Sequence, residues 1–283
     1  MTPQTTPSPI QRLGMTLRGL RQDAGFTGHQ LADRAELSQS TISRIELGQA
    51  MPSMSDIGRW GQATHASAAQ MAEVRALAEA AAVETISWRK AVRRGLPALQ
   101  QDVRDLEAAA TVLLNFQPVI IPGLLQTADY ARQIVASGYP GGRPDIAAAI
   151  EARLERQAIL YDVGRQLEFV IAEAALRWRI GPPQMMRAQL DRITSLATLP
   201  NVGIGVIPQA AEVAAWHIHG FAILDDSAVG NAIVRVETLT TGLSITDPDA
   251  VQRYRQAFAS LREAAIFGDQ TQGFLRGLLE ELG

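Results

Sequence analysis

Cysteine is absent from this chain of 283 residues. That absence excludes a disulfide scaffold, a cysteine-ligated zinc site and a thiol nucleophile. No apolar run approaches the roughly 18–20 residues of a membrane-spanning helix. Residues 1–9 are polar and rich in Pro and Thr, without the apolar stretch of a signal peptide. We therefore expect a cytoplasmic protein that has no membrane partner.

Strong net charge and lysine are also missing. The formal net charge is −3, and Lys90 is the only lysine among 26 basic residues. The abundance of Arg and Ala is typical of a GC-rich genome, so Arg content alone says nothing about function. A weak overall charge still leaves room for a nucleic-acid partner, because a DNA-binding module can be a minor part of the length. With 47% hydrophobic and 19% charged residues, the composition predicts globular domains, about two at this length.

Familiar catalytic patterns are lacking too. There is no G-x-S-x-G elbow, and Gly203-Ile204-Gly205 lacks the third glycine of a dinucleotide loop. His217 and His219 would share one side of an extended segment, as a metal site requires. Possible third ligands exist, namely Glu212, Asp225 and Asp226. The segment more closely matches the entry to a strand. The sequence therefore predicts no catalytic residue, no cofactor and no metal.

The first 83 residues have the periodicity of short helices. Apolar residues Ile10, Leu13, Leu17 and Leu20 recur at steps of three and four, as on one face of a helix. Thr27 is a suitable N-cap for a second helix, and Ser38 for a third that ends near Gly48. Two further helices follow, one from about residue 53 and an Ala-rich one at 67–83. The sequence thus predicts a five-helix domain over residues 1–83.

A basic linker is predicted at residues 84–97, because Ser87–Gly95 contains four basic residues and is followed by Leu96-Pro97. Two interpretations stay open for it: a solvated linker face, or contacts to the phosphates of DNA. Residues 98–283 are predicted to form a larger α/β domain that begins with a helix at about 98–114. Its four predicted strands are rich in β-branched residues and lie at 167–172, 202–207, 221–224 and 232–236. A helix at about 183–199 between the first two favours a parallel pair, and the last two read as a hairpin.

The second and third helices, joined by a turn of about three residues, predict a helix-turn-helix. In that arrangement the third helix presents its N-terminal end to the major groove of double-stranded DNA. Here this helix, at about 39–47, carries small polar side chains and one arginine, while Ile42 and Ile45 face the core. The predicted DNA-binding residues are Thr27, Ser38, Gln39, Ser40, Thr41, Ser43 and Arg44.

These residues resemble the lambda-repressor/Cro-like (xenobiotic-response-element) regulators over about 65 positions. The matching string runs from Leu13-Gly14 through Leu31-Ala32 and residues 37–46 to Gly48 and Pro52. The resemblance implies that Gln39 and Ser40 contact bases, and that Ser38, Thr41, Ser43 and Arg44 contact phosphate or bases. It also implies that Arg21 pairs with Glu46 inside the module.

The chain departs from that pattern at two positions. Gly28 stands where members of the family commonly have a phosphate-contacting Gln, and Glu36 occupies the turn position that usually carries Gly. A non-glycine residue in a left-handed conformation costs about 1 kcal/mol. Residues 1–64 contain six Arg and five acidic residues, a net charge of +1. We therefore expect modest DNA affinity for one subunit and binding as a homodimer.

The remaining part resembles the actinobacterial antitoxin-like transcriptional regulators. The resemblance is carried by several strings, the longest being residues 116–132, with others at 153–157, 173–177, 200–208 and 236–237. It implies a role in development or secondary metabolism, and a small protein encoded by an adjacent gene as a partner. It does not imply a particular ligand for the larger domain.

Some polar residues of the larger domain allow two interpretations. Residues 122–126 are typical of packing around a helix start, although Gln126 and Tyr130 are candidates for a ligand or partner surface. Arg153, Arg156 and Gln157 share a helical face, so they are predicted to pair internally with Glu173 or Glu237, or else to bind an acidic ligand.

Taken together, the residues favour a DNA-binding transcription regulator rather than an enzyme, with dimerisation and partner or effector binding in the larger domain. Two alternatives remain. One is a metal-assisted hydrolase with a DNA-binding appendage that uses His217, His219 and Glu173. The other is a protein-interaction scaffold whose helix-turn-helix no longer binds DNA.

Overall fold

The computed structural model describes residues 7–87, 95–138, 145–214, 219–226, 231–238 and 241–282. The chain folds into two compact units. The smaller unit comprises Met1–Thr85 and Ser244–Gln252, and the larger comprises Ile86–Leu243 and Arg253–Gly283. Most of the predicted basic linker, residues 88–94, lies outside the described residues. The predicted boundaries at residues 83 and 97 stay a prediction.

Residues 9–82 of the smaller unit contain five helices, as the periodicity predicts. They are α1 (Pro9–Asp23), α2 (Gly28–Ala35), α3 (Gln39–Glu46), α4 (Met54–Thr64) and α5 (Ala68–Ala82). Ser8, Thr27 and Ser53 begin α1, α2 and α4 with capping boxes, in which the cap hydroxyl and the third helical side chain exchange hydrogen bonds with backbone N–H groups. Local sequence therefore fixes where these helices begin.

The core of the smaller unit holds α1 and α3 unusually close together. A Cβ placed on Gly14 of α1 would lie 2.5 Å from the carbonyl oxygen of Ile45 and 2.9 Å from that of Glu46. Only glycine permits that backbone approach. Trp60 of α4 is fully buried, and its indole N–H donates to the carbonyl of Leu17 at 3.1 Å. The orientation of α3 is thus set by rigid contacts to its neighbours.

The turn between α2 and α3 has the left-handed residue that the sequence predicts. Glu36 has φ 53° and ψ 43°, and its N–H donates to the carbonyl of Ala32. The next residue closes the turn, with the Leu37 N–H also donating to Ala32, at 3.0 Å. A glutamate therefore adopts the conformation for which glycine is the usual choice.

The larger unit alternates helices and strands. Its helices are α6 (Leu96–Ala109), α7 (Ala128–Gly138), α8 (Ile146–Arg156), α9 (Glu173–Arg177), α10 (Pro183–Leu196), α11 (Pro248–Glu263) and α12 (Asp269–Glu281). The first residues of α11, up to Gln252, are counted with the smaller unit. The strands of the chain are β1 (Val83–Ser87), β2 (Val112–Gln117), β3 (Gln166–Ala172), β4 (Val202–Ile207), β5 (Phe221–Asp226), β6 (Asn231–Glu237) and β7 (Thr241–Ile245). Short 3₁₀ turns occupy Gly123–Leu125 and Gln157–Tyr161.

Strands β2 to β7 form a mixed sheet in the order β7-β6-β5-β2-β3-β4. The predicted parallel pair β3–β4 and the antiparallel pair β5–β6 are both confirmed. This sheet has more strands than the four that were predicted. The predicted end of the first helix of the larger unit was wrong. The helix expected to run to residue 114 ends at Ala109, and β2 begins at Val112, parallel to β3 and antiparallel to β5. The mixed α/β fold class itself is confirmed.

The main core of the larger unit lies on one face of this sheet. Alternate residues of β3, namely Leu167, Phe169 and Ile171, are almost completely buried there together with α10 and α12. None of the described helices is both long enough and apolar enough to cross a membrane.

Candidate functional sites

Helix α3 buries two apolar side chains and exposes its N-terminal end. Ile42 and Ile45 are each 1% exposed and face the core. Ser38 caps the helix, accepting a hydrogen bond from the Thr41 N–H at 3.0 Å. The first turn contains no acidic residue, so the positive end of the helix dipole is not neutralised from within. This end is therefore suited to approach an anionic surface.

The predicted base-contacting side chains are exposed at this end. Gln39 and Ser40 are both exposed, and the capping Ser38 lies beside them. The Ser38 hydroxyl lies 2.8 Å from that of Ser40 and 2.7 Å from that of Thr41. The three hydroxyls thus form one small cluster, which can exchange its internal hydrogen bonds for bonds to phosphate or base edges.

Two more predicted residues, Ser43 and Arg44, lie further along α3 and are half-buried. The Arg44 carbonyl accepts from the N–H groups of Gln49 and Ala50, which closes the helix end. Their contacts to DNA stay predictions.

Thr27 occupies the N-cap of α2. Its hydroxyl accepts from the Gln30 N–H at 3.2 Å, so its described role is structural. The neighbouring Gly28 faces the end of Gln39: a Cβ on Gly28 would lie 3.9 Å from Gln39 Nε2. The structure therefore brings together Gln39 and the position where the sequence departs from the resembled family.

The ion pair implied between Arg21 and Glu46 is confirmed. Arg21 donates from Nε and Nη2 to the two carboxylate oxygens of Glu46, and from Nη1 to the Phe26 carbonyl at 2.7 Å. The hydrogen bond to Glu46 raises the pKa of the Arg21 guanidinium, against the opposing effect of burial. The pair fastens α1 to the C-terminal end of α3 and neutralises the one carboxylate of that helix.

Of the two arginines predicted to pair internally, Arg156 does so, but with a carboxylate that was not predicted. Arg156 makes a bidentate pair with Glu107 at 2.6 and 2.8 Å, and donates to Gln100 Oε1 at 2.6 Å. The predicted partner Glu173 instead pairs with Arg177 and accepts from the Gln209 N–H. Helices α6 and α8 pack together, which brings Glu107 to Arg156 from 49 residues away.

Arg153, one turn before Arg156, is bound by amides only. Its Nη1 donates to Gln126 Oε1 at 2.9 Å, and its Nε to Gln100 Oε1 at 3.4 Å. Burial and the charge of Arg156 lower the pKa of the Arg153 guanidinium, while Glu237 and Glu107 act to raise it. Within the described residues, no carboxylate lies within ion-pair distance of this side chain.

Gln126 and Tyr130 are buried rather than exposed as a partner surface. Gln126 is 1% exposed and donates to the Ile121 carbonyl, and the fully buried Tyr130 hydroxyl accepts from the Ile121 N–H at 3.2 Å. Gln157 is buried too, donating to the Gln126 carbonyl at 2.6 Å. These residues lock the turn at 122–126 in place, as the packing interpretation predicts.

The histidines considered for a metal site are only partly described, because His217 lies outside the described residues. His219 Nε2 is 3.0 Å from the Tyr254 hydroxyl. Asp225 pairs with Arg255 at 2.6 Å. In the ranges that the structure describes, no three His, Asp or Glu side chains are grouped so that they could hold a metal ion.

Three polar residues of the larger unit were not predicted from the sequence: Gln100 and Glu107, which bond to Arg156, and Asn115, whose buried Oδ1 atom has no partner among the described residues. A signal for the first two was present, because residues seven apart on α6 share one helix face. Asn115 gives no such signal, since its surroundings depend on the pairing of β2 with β3 and β5.

Three comparisons with known proteins bear on these sites. Residues 12–77 match a helix-turn-helix domain, and residues 100–277 match a domain of unknown function (DUF5753). No curated protein matches the chain.

Two solved structures are similar only at a low level. One is a phospholipase D family member, Nuc, from Salmonella typhimurium, with 11% identity, a TM-score of 0.34, and coverage of 66% of this chain and 97% of that chain. The other is TrmBL2, an archaeal chromatin protein, with 12% identity, a TM-score of 0.33, and coverage of 66% and 53%. Similarity this low carries no argument about function. The match over residues 100–277 covers more than half of the chain and therefore shows its family. This chain is a member of the DUF5753 family, and it also carries a helix-turn-helix domain at residues 12–77.

Proposed function

We propose that this protein is a sequence-specific transcription regulator of the lambda-repressor/Cro-like type, antitoxin-like in its larger unit. It binds double-stranded DNA as a homodimer and inserts α3 into the major groove. The larger unit receives a small protein encoded by an adjacent gene, or a ligand, and this changes the affinity for DNA. No catalytic step is part of the proposal.

The observation that carries the proposal is the exposed, uncharged polar end of α3. An ordinary surface helix is typically covered with acidic and basic side chains, whereas this end presents Gln39 and three hydroxyls. An amide side chain can make paired hydrogen bonds to adenine, and hydroxyls bond to either base edges or phosphates. Because Gly14 and the Arg21–Glu46 pair fix α3 against α1, these groups are held in a rigid arrangement before DNA arrives.

Charge supports binding as a dimer. Six Arg against five acidic residues give residues 1–64 a net charge of +1. Phosphate contacts supply much of the affinity for DNA, so one such domain gives modest binding. Two domains related by a two-fold axis match a pseudo-palindromic operator with half-sites about one helical turn apart.

Selection of bound sequences from random duplex DNA, at a stated salt concentration, tests this proposal. The full chain is expected to enrich a two-fold symmetric motif. A Gln39→Ala/Ser40→Ala variant is expected to lose about 1–3 kcal/mol of discrimination at the contacted base pairs. The matched control is Ser55→Ala/Gln62→Ala, which removes the same residue types from exposed positions of α4 and should leave the base preference unchanged.

Equal, weak binding to every duplex would refute the proposal, as would a base preference that the Gln39/Ser40 variant keeps in full. The partner is tested separately, by titrating the adjacent small protein into the preformed complex with DNA. An affinity that stays constant at every ratio would remove that protein as an effector.

A further inference from the structure

A cavity of about 200 Å³ lies within the larger unit. Its wall is formed by α6, α7, α8, the 3₁₀ turn Gly123–Leu125 and the strands β2, β3, β5 and β6, so all of its lining belongs to that one unit. Five ionisable side chains line it, three arginines and two glutamates, which gives a net charge of +1: Arg153, Arg156, Arg235, Glu107 and Glu237.

Arg153 is better placed than Arg156 to receive an anion. The charge of Arg156 is met by the bidentate pair with Glu107. Arg153 donates to two neutral amides through Nη1 and Nε, and its Nη2 donates to no acceptor among the described residues. A carboxylate entering the cavity would gain a charge-assisted hydrogen bond without breaking an existing ion pair.

Apolar side chains also line the cavity. Val103, Leu106, Ile120 and Ile134 line it and are half-buried, so part of their apolar surface is free to meet a ligand, and the buried Leu113, Leu124 and Phe169 lie behind them. A dry cavity of about 150 Å³ lined by apolar side chains can hold benzene. The present cavity is somewhat larger, so it has room for a ring of that size that carries one small acidic substituent.

Asn115 adds a specific polar group to the lining of the cavity. Its Oδ1 atom is buried and has no hydrogen-bond partner in the part of the chain that the structure describes. Buried acceptors are nearly always satisfied, so an orphan that lines a cavity points to a donor supplied from outside the protein. A hydroxyl on the ligand would be such a donor.

From this geometry we propose that the cavity binds a small hydroxylated carboxylic acid with an apolar body, of the size of a hydroxybenzoate. The carboxylate bonds to Arg153, the ring lies against the half-buried apolar side chains that line the cavity, and the hydroxyl donates to Asn115. The regulatory meaning of such binding rests on the proposed function, because it would make the acid the effector of a DNA-binding protein.

The test measures binding to the full chain by calorimetry, without DNA, using benzoate, its three monohydroxy isomers and neutral benzamide. Benzoate is expected to bind about tenfold or more tightly than benzamide, because the charged hydrogen bond is lost in the amide. At least one monohydroxy isomer is expected to bind about threefold to tenfold more tightly than benzoate.

Two variants locate the site. Arg153→Gln is expected to weaken benzoate by about tenfold or more and to leave benzamide nearly unchanged. Arg104→Gln, which removes an exposed arginine of α6 outside the cavity, is the matched control and should bind like wild type. Asn115→Leu, which removes the unsatisfied acceptor at similar volume, is expected to stay folded and to abolish the preference for the hydroxylated acid.

Equal affinities for benzoate and benzamide would overturn the proposal, and so would a folded Arg153→Gln variant that binds benzoate as wild type does. Failure of all the acids to bind the folded chain at about ten millimolar would also overturn it, because a charged hydrogen bond to Arg153 in a cavity of matching size is expected to give tighter binding than this. DNA is absent from these measurements, so their failure leaves the proposed function untouched, and a failed DNA selection leaves this site untouched.

Discussion

The two units of this protein place their polar side chains in opposite ways. The smaller unit buries almost only apolar residues and presents its amide and hydroxyl groups on the exposed end of α3. The larger unit takes Gln100, Glu107, Gln126 and Arg156 into its interior, where each has protein partners. In the first unit polar groups are available to an external partner, and in the second they mainly hold helices and turns together.

This difference predicts how each unit responds to substitution. Removing an exposed polar group costs little folding energy and acts on recognition. Removing a buried one leaves its partner unsatisfied and acts on stability first. Arg153 is the informative exception in the larger unit, because it is half-buried, donates to the interior amides of Gln100 and Gln126, and yet one of its nitrogen atoms, Nη2, has no acceptor among the described residues.

The largest effect is expected from Arg156→Met. The variant leaves the carboxylate of Glu107 buried without its cation, and breaking a buried pair in this way costs about 3–5 kcal/mol. The free energy of unfolding of the larger unit, measured by urea titration, is expected to fall by that amount. The double variant Arg156→Met/Glu107→Leu should recover much of the loss, because no uncompensated charge remains.

The exposed pair Arg104–Glu155 provides the control for that prediction. Its side chains are 44% and 55% exposed, so solvent screens the interaction. Arg104→Gln is therefore expected to cost no more than about 1 kcal/mol. Equal losses of unfolding free energy from Arg156→Met and Arg104→Gln would contradict the expected difference between a buried and an exposed ion pair.

A smaller effect is expected in the smaller unit from Gly14→Ala. The new methyl group would lie 2.5 Å from the Ile45 carbonyl, so α1 and α3 must separate, at a cost of about 1–3 kcal/mol. Gly19→Ala on the same helix meets nothing within 4 Å and is expected to stabilise by about 0.5–1 kcal/mol. Thermal unfolding of both variants separates close packing from helix propensity, and a stabilising Gly14→Ala would contradict the described approach.

The helices of the smaller unit were predictable because their signals are local. A cap such as Ser38 and the spacing of Ile42 and Ile45 act within one or two turns of the same helix. The left-handed Glu36 was predictable from position alone, since the turn requires that conformation whichever residue fills it. The close approach at Gly14 was not, because it depends on a contact with a helix 31 residues further along.

The larger unit was less predictable because its structure depends on contacts between residues that are far apart in the sequence. Strand β2 follows the Ala-rich end of α6, and its apolar residues continue a pattern that fits a helix until Val112 pairs with Gln166 in β3. Likewise the sequence indicates that Arg156 pairs internally, but the choice of Glu107 follows from the packing of α6 on α8. The cavity and the orphan oxygen of Asn115 exist only once the sheet has assembled.

Glu36→Gly is expected to stabilise the smaller unit by about 0.5–1 kcal/mol, because glycine adopts φ 53° without strain. Glu36→Ala keeps the Cβ atom and should give no such gain, which makes it the control. Melting temperatures of the two variants check this prediction. If alanine stabilised as much as glycine, the effect would come from the lost charge and not from the backbone.

The smallest effect concerns Asp56, which receives hydrogen bonds from Arg59 and Ser53 at the start of α4. Burial acts to raise the pKa of this carboxyl, but the hydrogen bonds from Arg59 and Ser53 together lower it from 3.8. A lowered pKa in the folded state means stability that is present above pH 3.8 and is lost as the pH falls through the folded value. Asp56→Asn should thus cost about 0.5 kcal/mol at pH 7, discounted for solvent exposure, and almost nothing near pH 2. Urea titrations of both proteins at the two pH values measure the difference, and a gap that widened on acidification would show that the carboxylate does not stabilise this helix start.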